Sequence, residues 1–225
     1  MKITSLISNK ILLIFILTVG FSVQSNAEIN NQTSNSEQTQ QQKLMILGDS
    51  LSAGYSMQIE ESWAHLLAQK WQKSAPNLSI INASVSGETT DGGLNRLPNL
   101  LKQHQPKWVL IELGGNDALR GFNLNLIKQN LINIVQLIKK NNALPIMTSI
   151  KIPPNYGKRY TETFTKQFSL IAAQENIPYF SFYLEEIALN PDLMKKDGIH
   201  PNEKAQPLIA EHVNKEINRI INLTL

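Results

Sequence analysis

Five apolar runs, each cut off by glycine or small polar residues and followed by residues at helical spacing, constrain this chain more than any other feature. They cover residues 44–47, 78–83, 107–113, 144–150 and 177–182. Between and after them, residues 61–71, 94–101, 124–140, 160–174 and 205–221 place apolar side chains three and four apart. That is the spacing of helices with one buried stripe. The alternation predicts an α/β fold whose parallel strands are covered on both faces. Ligands and catalytic groups are then expected beyond the carboxyl ends of the strands, where the crevice is open and helix N-termini point into it.

The residues at those ends are suited to chemistry. Ser50 follows Gly48 and Asp49 at the end of the first run and is a candidate nucleophile; Asp49 and Ser50 are equally able to cap a turn by bonding nearby backbone. The second run ends in Ser84-Val85-Ser86-Gly87, where Gly87 either brings a backbone N–H close to a ligand or simply makes a turn. The third ends in Gly114-Gly115-Asn116-Asp117. The Asn116 amide donates hydrogen bonds without carrying charge, which suits an oxyanion. Asp117 is expected to have a structural role, capping the helix over residues 124–140 or orienting Asn116. Near the C-terminus, Asp197 and His200 lie three apart in a segment held by Gly198 and Pro201. The carboxylate can accept the imidazole N–H, fix one tautomer and stabilise the imidazolium; the alternative is a loop histidine beside a capping aspartate.

Composition narrows the partners. Lys2 and Lys10 precede an apolar stretch over residues 11–23, and Ser25-Asn26-Ala27 supplies small residues at a cleavage position. This layout predicts a secretory signal over residues 1–27, shorter in its apolar part than the ~20 residues a spanning helix needs. Residues 28–42 are rich in Asn, Gln, Ser and Thr and predict a disordered polar lead-in. The folded domain is expected over residues 43–225, with no internal repeat and no second domain. The product is then periplasmic or secreted, with no stable membrane insertion after cleavage. Without Lys2 and Lys10 the formal charge of +3 falls by two to +1, and no run of Lys and Arg suggests nucleic acid. There is no cysteine, so neither disulfides nor cysteine-linked lipid is available. His65, His104, His200 and His212 are scattered, with no H-E-x-x-H pattern, so neither a metal nor a cofactor is expected. His65, inside a helical pattern, reads as a surface or edge residue.

Together the pieces supply a hydroxyl, a base with an orienting carboxylate, and uncharged donors, the set needed for acyl transfer. A G-x-S-x-G elbow is missing, which argues against the usual α/β-hydrolase. A flavodoxin-like or receiver domain would need phosphate-binding loops or an acidic cluster, and the secretory signal speaks against both.

Gly48-Asp49-Ser50-Leu51, Gly87, Gly114-Gly115-Asn116-Asp117 and Asp197-Gly198-Ile199-His200 resemble, in order, the four blocks of the GDSL or SGNH hydrolase family. The resemblance spans most of the chain beyond the leader. It implies a three-layer α/β/α sandwich with a five-stranded parallel sheet in flavodoxin-like order, acting as a monomer without cofactor. By the same resemblance Ser50, Asp197 and His200 are catalytic, and the N–H groups of Ser50 and Gly87 with the Asn116 amide form the oxyanion hole. The implied substrates are small acyl esters or thioesters, including lysophospholipids and aryl esters. Leu119, Phe122, Ile152, Tyr156 and Gly157 are placed to contact an acyl tail by their loop positions, and scattered apolar loop residues are equally compatible with packing. A catalytically silent lipid- or sugar-binding module on the same fold is the competing reading.

Overall fold

The computed structural model describes residues 41–181 and 184–222. The expected signal, and the lead-in up to residue 40, lie outside them. The strand β1 (Gln42–Gly48) contains Leu44, Met45, Ile46 and Leu47, all inaccessible to solvent. Gln42, which composition assigns to the polar lead-in, is paired opposite Leu78 and donates its N–H to Asn77 O at 2.8 Å. Here sheet pairing outweighs a polar side chain.

The strands β2 (Leu78–Asn82), β3 (Trp108–Glu112), β4 (Leu144–Thr148) and β5 (Tyr179–Phe180) complete a parallel sheet of order β2-β1-β3-β4-β5. β3 is buried along its whole length, as a strand covered on both faces must be. β5 is shorter than the run over residues 177–182 suggests. Pro178 has no N–H to give to a ladder, and the Ile177 N–H is already spent on Ala172 O at a helix end.

Ser50–Ala53 forms α1, Trp63–Ser74 α2, Thr90–His104 α3, Gly115–Leu119 α4, Leu124–Lys140 α5, Lys158–Glu175 α6 and Gln206–Asn222 α7. α2 packs with α7, and α5 packs with both α3 and α6. With the sheet between these groups, the result is the three-layer sandwich that the resemblance implies. The α2–α7 side is pinned by buried polar bonds: Trp71 Nε1 donates to Asn214 Oδ1 at 2.9 Å and Trp63 N to Gln206 Oε1 at 3.0 Å. Fully burying a large apolar side chain is worth roughly 1.5–3 kcal/mol, and Trp63, Trp71, Trp108, Phe164 and Phe168 all do so.

α3 begins four residues before the apolar spacing at Leu94. Thr89 caps it by accepting from Gly92 N at 3.2 Å. Gly93 gives room to a neighbour: a Cβ there would stand 2.4 Å from Leu113 Cδ1 and force that side chain to shift. Glycine, a poor helix former, is placed here for contact and not for propensity.

Candidate active site

Ser50 stands at the first position of α1, at the carboxyl end of the interior strand β1. Asp49 caps this single turn, its Oδ1 accepting from Leu51 N at 3.0 Å, and Gly54 closes it in the left-handed conformation at φ 74°. The sequence left nucleophile and cap as alternatives, and the structure divides them: Asp49 caps, while Ser50 is free to face the crevice.

His200 arrives from the loop before α7. Met194 and Pro201 form an antiparallel bridge, and Lys195 N donates to His200 O at 2.8 Å. Asp197 Oδ1 accepts the N–H groups of Ile199 and His200 at 2.9 and 3.0 Å, and its Oδ2 lies 2.8 Å from His200 Nδ1. His200 Nε2 lies 2.9 Å from Ser50 Oγ. A carboxylate on Nδ1 holds the proton there and leaves Nε2 as the acceptor for the serine hydroxyl. Partial burial would raise the Asp197 carboxyl, but the two backbone N–H groups and the imidazole outweigh it and hold it at about 2. It is therefore ionised wherever the imidazole is useful as a base. Tyr55 stacks on the imidazole, with ring centroids 4.3 Å apart.

The donor residues sit on neighbouring strand ends. Past β2, Ala83 N and Val85 N bond to Ile46 O and Gly48 O at 2.9 and 3.1 Å, so the segment leading to Gly87 runs alongside the end of β1. Gly87 has φ 78°, and Arg120 Nη2 holds its carbonyl at 3.1 Å. Among the described residues, no protein acceptor engages the N–H of Gly87 or of Ser50. Asn116 lies in the first turn of α4, after β3, and its Nδ2 donates to Asp49 Oδ2 at 3.0 Å.

Asp117 has the structural role expected of it, but by neither of the two routes named. Asn123 caps α5, and Asp49 holds Asn116. Asp117 is buried and accepts from Thr90 N at 2.9 Å and Thr90 Oγ1 at 2.6 Å. It thus fixes the start of α3, a partner 27 residues away that local spacing does not reveal.

A largely apolar groove of about 490 Å³ opens beside Ser50, Asn116 and His200. Of the expected tail contacts, Leu119 and Ile152 line it. Phe122, Tyr156 and Gly157 do not. The 3-10 turn Pro154–Tyr156 directs Tyr156 and Gly157 to a separate depression beside Asn123 and Arg159. The groove is also lined by Ile150, Pro153 and Pro154 and by Leu184, Leu189, Met194 and Ile199. His65 stands in α2 beside Gln69, away from the groove. Among the described residues no cluster of three potential metal ligands occurs, and no helix is long and apolar enough to cross a membrane.

Glu112 was not singled out from sequence, because it ends an otherwise apolar run. It is inaccessible to solvent, and its Oε2 accepts from Ser52 Oγ at 2.7 Å and Asp49 N at 3.3 Å. Burial, and then the charge of Asp49, push its carboxyl well above the usual range. Burial likewise raises Asp49, to about 6, against the opposing pull of the Leu51 N–H, His200 and Asn116.

Residues 46–207 match the model of the GDSL-like lipase/acylhydrolase family. The chain is 49% identical over 179 residues to thioesterase 1/protease 1/lysophospholipase L1 of Escherichia coli (strain K12), covering 80% of this chain and 85% of that protein. It is 47% identical to the arylesterase of Vibrio mimicus over 78% of this chain and 88% of the relative. The psychrotrophic esterase EstA from Pseudoalteromonas sp., solved in a form inhibited by monoethylphosphonate, superposes with a TM-score of 0.78 at 44% identity, covering 80% of this chain and 98% of its own. The chain belongs to the GDSL-like lipase/acylhydrolase family.

Proposed function

We propose that this chain is a serine hydrolase that cleaves carboxylic esters and thioesters through an acyl-enzyme on Ser50. The observation that carries the reading is the continuous Ser50–His200–Asp197 contact at 2.9 and 2.8 Å. In the first half-reaction Ser50 Oγ attacks the acyl carbonyl carbon while its proton passes to His200 Nε2. The tetrahedral oxyanion accepts hydrogen bonds from the N–H groups of Ser50 and Gly87 and from the Asn116 amide. Collapse breaks the bond to the leaving oxygen or sulfur, which takes the proton from His200. In the second half, water gives a proton to His200 and attacks the acyl carbonyl, and the carboxylic acid leaves with Ser50 restored. Asp197 stays ionised throughout and compensates the imidazolium. Relatives named thioesterase, lysophospholipase and arylesterase support the substrate class. The silent binding module is not favoured, since such a protein has no need of a hydroxyl held against an oriented imidazole.

The groove is the acyl site, and its walls select apolar tails. Each buried methylene is worth ~0.8 kcal/mol, so kcat/KM should rise about two- to fourfold per added carbon until the groove is full. A series of p-nitrophenyl esters from acetate to dodecanoate tests this. Activity that is flat or falling from the shortest ester onward removes the groove from the reading, and activity unchanged in Ser50→Ala removes the nucleophile. The same proposal places the enzyme outside the cytoplasm as a monomer, with residues 1–27 cleaved as a leader. N-terminal sequencing and sedimentation of the exported protein test those points.

A further inference from the structure

Beneath the nucleophile two carboxyl groups are buried together, and the mechanism above uses neither. Asp49 is 2% exposed and Glu112 fully enclosed. Among the described residues no lysine or arginine forms an ion pair with either. Burying acids without a cation is costly, and the backbone makes special room for these two. A Cβ on Gly48 would lie 2.7 Å from Glu112 Oε2, and one on Gly115 would lie 3.3 Å from Asp49 Oδ2. Capping Leu51 N–H does not account for the arrangement, because a serine or asparagine caps as well as an aspartate. A carboxylate adds something those side chains lack. When ionised it accepts hydrogen bonds and cannot donate them.

That difference acts on Asn116. The two ends of an amide side chain have nearly the same shape, so packing alone barely distinguishes Nδ2 from Oδ1. Facing Asp49 Oδ2 at 3.0 Å, only the Nδ2 end is attractive. One of its hydrogens is taken by Asp49, and the other is left for an acceptor in the crevice. A flipped amide would set two oxygens against each other and turn Oδ1 toward the place where negative charge develops.

We propose that Asp49 is the positioning residue of the oxyanion hole, its buried carboxylate locking Asn116 with a donor toward the reacting carbonyl while Glu112 anchors the Asp49 backbone from below. The inference rests on the reading of Asn116 as an oxyanion donor. Asp49 borders the groove but is only 2% exposed, and both of its carboxylate oxygens are engaged by Leu51 N and Asn116 Nδ2. Its contribution passes entirely through Asn116, and that makes it separable. Asp49→Asn preserves size but presents an amide that accepts or donates, so Asn116 loses its single orientation.

The test is a double-mutant cycle read as kcat and KM on p-nitrophenyl hexanoate for wild type, Asp49→Asn, Asn116→Ala and the double variant. Asn116→Ala should lose about a hundredfold or more in kcat, the usual cost of one oxyanion donor. Asp49→Asn should lose about tenfold or more in kcat with KM within about threefold, and in the Asn116→Ala background the same change should cost no more than about threefold. Independent, multiplying losses would overturn the proposal, as would Asp49→Asn turning over within twofold of wild type. Should Asp49→Asn fail to fold, Asp49→Ser keeps the cap on Leu51 N–H, is too short to reach Asn116, and must show the same coupling. Full activity in Asn116→Ala would instead sink the oxyanion reading itself, so the two failures are distinguishable.

Discussion

The buried Asp49 carboxyl should give this protein a stability that falls as pH rises across a window where most proteins change little. Its pKa moves from an ordinary 3.8 to about 6 in the fold, with burial as the main cause. Below about 3.8 the group is protonated in both states and contributes nothing. Between there and about 6 the unfolded chain releases the proton first, so each step up in pH favours unfolding. Above about 6 the penalty is complete. A shift of about two units is worth roughly 3 kcal/mol in total at 1.36 kcal/mol per unit, of which about 2 kcal/mol accrues between pH 4.5 and 7. Asp49→Asn removes this titration and little volume. Urea unfolding of both proteins from pH 4.5 to 7.5 should therefore show the variant gaining about 2 kcal/mol on wild type as pH rises, whatever constant offset the lost charge introduces. Parallel pH profiles would refute the reasoning, and a variant losing ground with rising pH would reverse its sign.

Other expectations follow from single contacts. Gly48→Ala puts a methyl 2.7 Å from Glu112 Oε2 and 2.9 Å from Ser84 Oγ; it should destabilise by about 1–3 kcal/mol, and Glu112→Ala in the same chain should recover part of the loss in a thermal melt. Asn214→Leu strands the buried Trp71 Nε1–H and should cost about 1–3 kcal/mol, with no change in kcat because it lies in α7 away from the groove. Asp197→Asn should lower kcat on the order of 10⁴-fold by permitting the wrong imidazole tautomer, with far-UV circular dichroism unchanged.

The sheet was readable because its inner strands are buried on both faces, which leaves uninterrupted runs such as Leu44–Leu47 and Trp108–Ile111. Three of the four blocks were readable because each falls where a run stops, and the fourth because Asp197 and His200 lie three apart beside Gly198 and Pro201. What escaped notice depends on distance along the chain. Asp117 is settled by Thr90 and Asn116 by Asp49, 27 and 67 residues apart. Glu112 is hidden for a different reason: a single acid closing an apolar strand resembles a solvated strand end, and only its neighbours reveal that it is enclosed. The groove was half visible. Leu119 and Ile152 were found, but Tyr156 and Gly157 were misplaced because the turn over Pro154–Tyr156 reorients them, and the wall carrying Leu184, Leu189 and Met194 comes from a stretch with little periodicity.

In the proposed mechanism Ser50 Oγ is made nucleophilic by His200, whose Nε2 lies 2.9 Å away. The direct measurement is the rate of covalent labelling by a fluorophosphonate, with the modified residue located by peptide mass spectrometry. A single adduct on Ser50 is predicted, absent in Ser50→Ala and formed at least about a thousandfold more slowly in His200→Ala. Labelling at another residue, or labelling of Ser50 at the same rate without the imidazole, would contradict it.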